Sequence, residues 1–204
     1  MNSTELNEIL DSRLKLTPMT LSGDARWTVV TLSRGLPYYV HILGKYAALN
    51  AVYRERVRIV AENVDAAMDK FIVDSGQSFQ DDYRTATESN QASNFLEEVL
   101  LACSLATTDE SGFFTATDVL EPLDAILQRK NAHAHIKRHL LEFVSDRRGK
   151  ILMRRGDARR YRYRFTDPMT QPYVIIRGIR NRKVPEQIRK KLSFSEQPFL
   201  PNVT

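Results

Sequence analysis

Apolar residues recur at helical spacing through the first third of the chain. Leu6, Ile9, Leu10, Leu14 and Leu16 predict a helix from Thr4 to about Leu16, with Ser3 or Thr4 placed to cap it and Pro18 to stop it. A second helix begins at Ser22 or Asp24, turns Ala25, Val29, Val30 and Leu32 inward, and ends at Gly35. A third runs from Pro37 to about Val52 and buries Val40, Leu43, Ala47 and Tyr39; His41, among apolar neighbours, reads as a core residue. After the charged stretch Tyr53-Arg54-Glu55-Arg56, a fourth helix starts near Glu62, with Val64, Ala67, Met68, Phe71 and Ile72 on one side. Residues 1–75 are thus expected to form a small four-helix bundle.

The pattern then lapses. Residues 76–90 are polar, without a strong apolar stripe, and read as an exposed helix or a connection at a domain boundary. From Gln91 it resumes: Phe95, Val99, Leu100 and Ala102 predict a helix ending near Thr107, and Thr108-Asp109-Glu110-Ser111-Gly112 a turn. Thr117 or Asp118 caps a short helix, and a third spans about Ala132 to Val144. Lys150 to Arg154 alternates like a strand, Gly156-Asp157 signals a hairpin turn, and Arg160-Tyr161-Arg162-Tyr163-Arg164-Phe165 returns. Three helices followed by a two-stranded ribbon is the order of a winged helix-turn-helix. Tyr173 to Ile179 adds one more helix or strand, and residues 181–204 read as a basic, loosely ordered tail. The expected fold class is mainly α: a four-helix lid-like bundle (1–75), a connection (76–90), then a winged helix-turn-helix with a β-hairpin wing (91–180).

Composition fits a soluble globular protein, with 42% hydrophobic and 27% charged residues. No apolar run approaches the roughly 18–20 residues that span a membrane, and no signal-peptide pattern opens the sequence. A single cysteine, Cys103, excludes an internal disulfide; among Leu100, Leu101 and Leu105 it reads as a buried thiol in a reducing, cytoplasmic setting. The net charge of +5 conceals an asymmetry. Residues 147–191 hold 16 of the 30 Lys+Arg and only three acids, a local net of +13 against −8 for the remainder. That split points to an anionic partner, or to docking on acids of the same chain such as Asp65, Asp69 and Asp74.

The basic ribbon is the strongest chemical signal. Arg154, Arg155, Arg159, Arg160, Arg162 and Arg164 flank its turn. Strand alternation puts Arg160, Arg162 and Arg164 on one face and Tyr161, Tyr163 and Phe165 on the other, so aromatics pack while arginines reach phosphates. In a winged helix the third helix enters the major groove, and here it offers Asn131, His133, His135, Lys137, Arg138 and Glu142. His135 and His139 have metal-compatible i, i+4 spacing but no third ligand nearby, and read as an exposed helix face. No catalytic triad or paired-carboxylate arrangement stands out.

Leu32-Ser33-Arg34-Gly35-Leu36-Pro37-Tyr38-Tyr39-Val40 carries a glycine and a proline two residues apart between two helices. Read alone, it is a helix–turn–helix corner, whose second helix opens on N–H groups able to face a phosphate. Together with Glu5-Leu6 and Ile9-Leu10, it resembles the lid of AAA+ ATPases of the archaeal-type and initiator-like branch. Ile151-Leu152, Tyr161 to Pro168 and Pro172-Tyr173-Val174 resemble the winged helix that follows that lid. The resemblance covers about residues 3–180. It implies that Gly35 and Pro37 lie over an adenine, with Arg34 and Tyr38 nucleotide-proximal, and that the turn reports nucleotide state to the winged helix. The sequence departs from the family where many lids carry an arginine three residues after the glycine: Tyr38 stands there.

The ATP-binding core is not in this sequence. Gly44-Lys45 lacks the phosphate-loop spacing, and Asp109-Glu110 follows no apolar strand. The chain is therefore expected to be a non-enzymatic C-terminal portion of an AAA+ ATPase that couples nucleotide state to DNA binding. It would hold no cofactor alone, ATP and Mg²⁺ being implied only with the absent core. Expected partners are DNA and an upstream ATPase core or partner protein, with no membrane. The alternatives are a protein-assembly module of an ATPase complex and a stand-alone winged-helix transcription regulator.

Overall fold

The computed structural model describes residues 1–89, 95–128, 136–157 and 160–193, and is mainly helical with two small sheets. The chain forms two compact units, Met1–Asp74 with Glu186–Thr204, and Ser75–Pro185. Among the described residues no helix is long and apolar enough to cross a membrane.

In the first unit α1 (Ser3–Leu14) is capped one residue earlier than expected. The Asn2 side chain accepts from the Glu5 N–H at 2.9 Å while the Glu5 carboxylate accepts from the Asn2 N–H at 2.8 Å, which satisfies two of the helix's orphan donors. Strand β1 (Thr20–Leu21) leads into α2 (Gly23–Leu32), capped by the Ser22 hydroxyl. Helix α3 (Pro37–Tyr53) opens on Pro37 and buries Tyr39, Val40, Leu43, Ala47 and Ala51. Strand β2 (Arg58–Ile59) pairs with β1 in parallel, Leu21 opposite Ile59, a link between two loops that no periodicity announces. Helix α4 (Ala61–Asp74) packs along α3, with the Tyr39 and Phe71 rings edge to face at 5.2 Å. The buried Asn63 accepts from the Val60 N–H at 2.8 Å and donates to Asn50 at 2.9 Å, so its polarity is matched within the core.

The second unit begins with α5 (Gln77–Thr87), in the stretch 76–90 read as a connection. Tyr83, Ala86 and Thr87 are buried, and Phe79 stacks on Tyr173 at 5.7 Å. Two aromatics four residues apart hold a helix whose remaining positions are polar, so average hydrophobicity hid it. Helix α6 (Leu96–Leu105) is the central element, with Leu96 and every residue from Val99 to Ser104 buried. Strand β3 (Phe114–Thr115), α7 (Leu120–Leu127) and α8 (Ile136–Phe143) follow, then β4 (Leu152–Arg155), β5 (Arg162–Phe165) and α9 (Thr170–Arg180). The sheet order is β3-β5-β4, antiparallel throughout. Tyr173, Val174, Ile175, Ile176 and Ile179 of α9 pack inward, with Gly178 against Leu101.

Helix α10 (Glu186–Ser193) corrects the reading of 181–204 as a loosely ordered tail. It returns to the first unit and lies on α2: the Trp27 indole donates to the Lys191 carbonyl at 3.3 Å, and Arg189 pairs with Asp65 at 3.4 Å. Ile188 and Leu192, four apart, are its apolar signal in a run otherwise dominated by charge. Residues 194–204 lie outside the described residues.

Candidate nucleic-acid interface

The β4–β5 ribbon is organised by its register. Leu152 lies opposite Phe165 and Arg154 opposite Tyr163 on one face; Met153 opposite Arg164 and Arg155 opposite Arg162 share the other. Leu152, Tyr163 and Phe165 are buried, and Tyr163 stacks with Phe114 of β3 at 6.2 Å. Alternation therefore sends Arg155, Arg162 and Arg164 outward and Tyr163 and Phe165 inward, while Arg154 shares the aromatic face and is exposed only at the end of the ribbon. At the ribbon's turn Gly156 has φ +98°, and a Cβ there would lie 2.7 Å from the Arg160 carbonyl oxygen, so only glycine fits.

The arginines are not equivalent. Arg162 is bound by the Asp109 carboxylate of the loop before β3. Asp109 also accepts from the Ser111 and Phe113 N–H groups, both at 2.9 Å. These contacts, Arg162 first, hold the Asp109 carboxyl below the usual carboxylate range. Arg164 lies over the Phe113 ring at 4.9 Å, with its Nε 2.9 Å from the Met153 sulfur. Arg154 stacks on Tyr161 at 4.0 Å, which leaves its guanidinium edge exposed. Arg155 and Arg160 are exposed and have no carboxylate partner among the described residues. Arg159 lies outside the described residues.

Other parts of the basic segment are neutralised within their own units. Lys183 bridges Glu97 and Glu98, Lys150 pairs with Asp146 at 2.8 Å, and Arg189 with Asp65. Arg148 is buried, donating to the Glu88 carbonyl at 2.5 Å with Glu142 at 3.6 Å. It is a structural cation that fastens the end of α5 to the segment following α8. Part of the charge asymmetry of the sequence is thus neutralised by ion pairs, while Arg154, Arg155 and Arg160 at the turn of the ribbon and Arg147, Arg182 and Lys191 elsewhere are exposed.

On α8, Lys137 and Arg138 are exposed, and Arg138 leans toward Glu142 at 3.5 Å. His139, expected on an exposed face with His135, is instead buried beside Ile136, Leu140 and Phe143. The 3.6-residue period turns position 139 onto the same stripe as 136, 140 and 143, which the metal-type spacing had obscured. His133 and His135 lie outside the described residues. Among those described, no cluster of three or more metal-ligating side chains occurs.

The Gly35–Pro37 corner has Arg34 at φ +49° and Gly35 at φ +83°, a left-handed pair that ends α2 and redirects the chain into α3. The Leu36 N–H bonds to the Ser33 carbonyl at 2.9 Å, and the Gly35 carbonyl accepts from the Met1 ammonium at 3.0 Å. Arg34 is half-buried, and desolvation lowers its pKa. Tyr38 projects outward while its neighbour Tyr39 is buried. His41, read as a core residue, is exposed: Val40 and Leu43 take the inward stripe and leave position 41 on the outer face.

Sequence reasoning did not find Asp109 or Phe113 as partners of the ribbon. Asp109 was legible only as a turn former, because the link to Arg162 spans 53 positions. No family model, curated protein or solved structure matches the chain.

Proposed function

We propose that the second unit is a winged helix that binds duplex DNA through the turn of the β4–β5 ribbon, within a non-catalytic C-terminal portion of an AAA+ ATPase. The observation that carries this reading is the cluster of Arg154, Arg155 and Arg160, exposed around one glycine turn with no carboxylate partner among the described residues. Phosphate contact by arginine is bidentate and independent of sequence, and an outward ribbon can follow a backbone groove. The order α6, β3, α7, α8, β4, β5, with β3 completing a small sheet, supports the winged-helix reading. Lys137 and Arg138 of α8 are the base-edge candidates. The lid-like role of the first unit rests on the Gly35–Pro37 corner, where Arg34, Gly35, Pro37 and Tyr38 would face nucleotide held by a separate core.

The test is anisotropy of a labelled duplex over a salt series, for the native chain and for Arg155→Ala/Arg160→Ala. Each neutralised phosphate adds about 0.9 to the slope of log affinity against log salt, so the double variant should lose about 1.8 of slope. An unchanged slope, or no binding by the native chain at low salt, overturns the proposal.

A further inference from the structure

The first unit carries a groove that the DNA-binding reading does not use. Helix α1 forms one wall with Ile9 and Leu14, and α3 the other; Met19, Leu21 and Ile59 close the end at the β1–β2 pair. It encloses about 320 Å³ and lies wholly within this unit. Small residues make it deep. Gly44, Ala47 and Ala48 line the α3 side, and a Cβ on Gly44 would come within 3.2 Å of Leu10 Cδ2. The α1 lining runs from Ile9 to Leu14, where the helix ends, and continues through Thr17 and Met19 to the β1–β2 pair.

The charge around this groove is one-sided. Arg13, His41 and Lys45 are the ionisable groups in its lining, and all three are exposed. No acid lines it, and helix α3 contains none. This is local segregation, because residues 1–74 hold nine acids and nine Lys+Arg. Asp11 of α1 binds Arg26 at 2.6 Å, and Asp74 binds Lys70 at 3.0 Å and the Tyr46 hydroxyl at 2.8 Å while lying within the field of Lys45. Neither Arg13 nor Lys45 has an ion-pair partner among the described residues.

From this apolar floor with a cationic rim we infer that the groove docks an amphipathic helix of a partner protein, with aliphatic anchors on one face and carboxylates beside them. Aliphatic side chains at i, i+4 and i+7 would enter between Ile9 and Leu14 of α1 and Ala48 of α3, the usual geometry of a helix laid in a groove. The flanking carboxylates would meet Arg13 and Lys45. The rim sets the polarity of the partner, since a basic helix of the same apolar pattern places like charges together.

The probe is a fluorescein-labelled, helix-favouring peptide of about 14 residues with leucines at i, i+4 and i+7 and flanking glutamates. Its control carries lysine in place of each glutamate. Anisotropy should show saturable binding of the acidic peptide and at least tenfold weaker binding of the control. Arg13→Glu/Lys45→Glu, a change at exposed sites, should weaken the acidic peptide by about tenfold and strengthen the basic one. Ala48→Trp should block both. Equal binding of the two peptides, or binding of neither, overturns the inference. Sedimentation showing that the native chain dimerises, and that Ala48→Trp abolishes the dimer, overturns it too, by making a second copy the occupant.

Discussion

The carboxylate of Asp109 and the guanidinium of Arg162, 53 residues apart, form an ion pair that removes one arginine from the free set on the ribbon. Arg155 lies directly opposite Arg162, so without Asp109 two like charges would face each other across the strands. The pair thus steadies the ribbon and lowers the charge it presents.

Its consequences are measurable. The Asp109 carboxyl titrates below its ordinary value, chiefly because of Arg162. A depressed carboxylate contributes stability above its unfolded pKa, and that contribution is lost as pH falls through the folded value. Asp109→Asn should therefore flatten the melting temperature against pH below about pH 4. It should also free Arg162 and steepen the salt slope of DNA binding by about 0.9. A slope equal to that of the native chain would exclude Arg162 as a masked phosphate contact.

Tyr83 behaves in the opposite sense. Burial, reinforced by Glu97, pushes its phenol up to about 12, against the partial relief of Arg177, which lies over its ring at 4.5 Å. A raised folded pKa gives stability that is complete below the unfolded value near 10 and is lost as pH rises toward about 12. Tyr83→Phe should leave stability at pH 7 nearly intact and shift the onset of alkaline unfolding upward. Spectrophotometric titration near 295 nm would count one fewer late-titrating tyrosine. If the alkaline limb did not move, Tyr83 would not be the group that governs it.

Gly178 tests the packing of the second unit. A Cβ there would lie 2.6 Å from Leu101 Cδ1 and 2.9 Å from Cδ2, and Leu101 is 2% exposed with little room to retreat. The gain in helix propensity for alanine is about 1 kcal/mol, smaller than the overpacking penalty of about 1–3 kcal/mol. Gly178→Ala should lower unfolding free energy in urea by up to about 2 kcal/mol, and adding Leu101→Val should recover part of the loss. A more stable Gly178→Ala chain would show that α6 and α9 adjust freely.

The helices of the first unit were legible because their inward residues follow the 3.6 period and their ends carry Ser22, Gly35 and Pro37. The ribbon was legible for the same kind of reason: alternation around Gly156-Asp157 fixes which side chains face inward. Helix α5 was not, because two rings, Phe79 and Tyr83, hold it by contacts with Tyr173 that lie about 90 positions ahead in sequence. Helix α10 escaped notice because its partners Trp27 and Asp65 are far back in the chain.

The sequence by itself determined the mainly helical class, most of the helices, the two strands of the ribbon, and the outward direction of Arg162 and Arg164. Those features depend on neighbours within one or two turns, which a linear pattern records. Tertiary structure alone decided which cations stay available. Asp109 binds Arg162, Glu97 and Glu98 bind Lys183, and Asp65 binds Arg189, while Arg155 and Arg160 keep no carboxylate partner among the described residues. It also decided that His139 is buried and His41 exposed. Charge is counted along the chain, but ion pairs and burial act through space over a few ångströms, so the useful net charge of a surface appears only once the chain has folded.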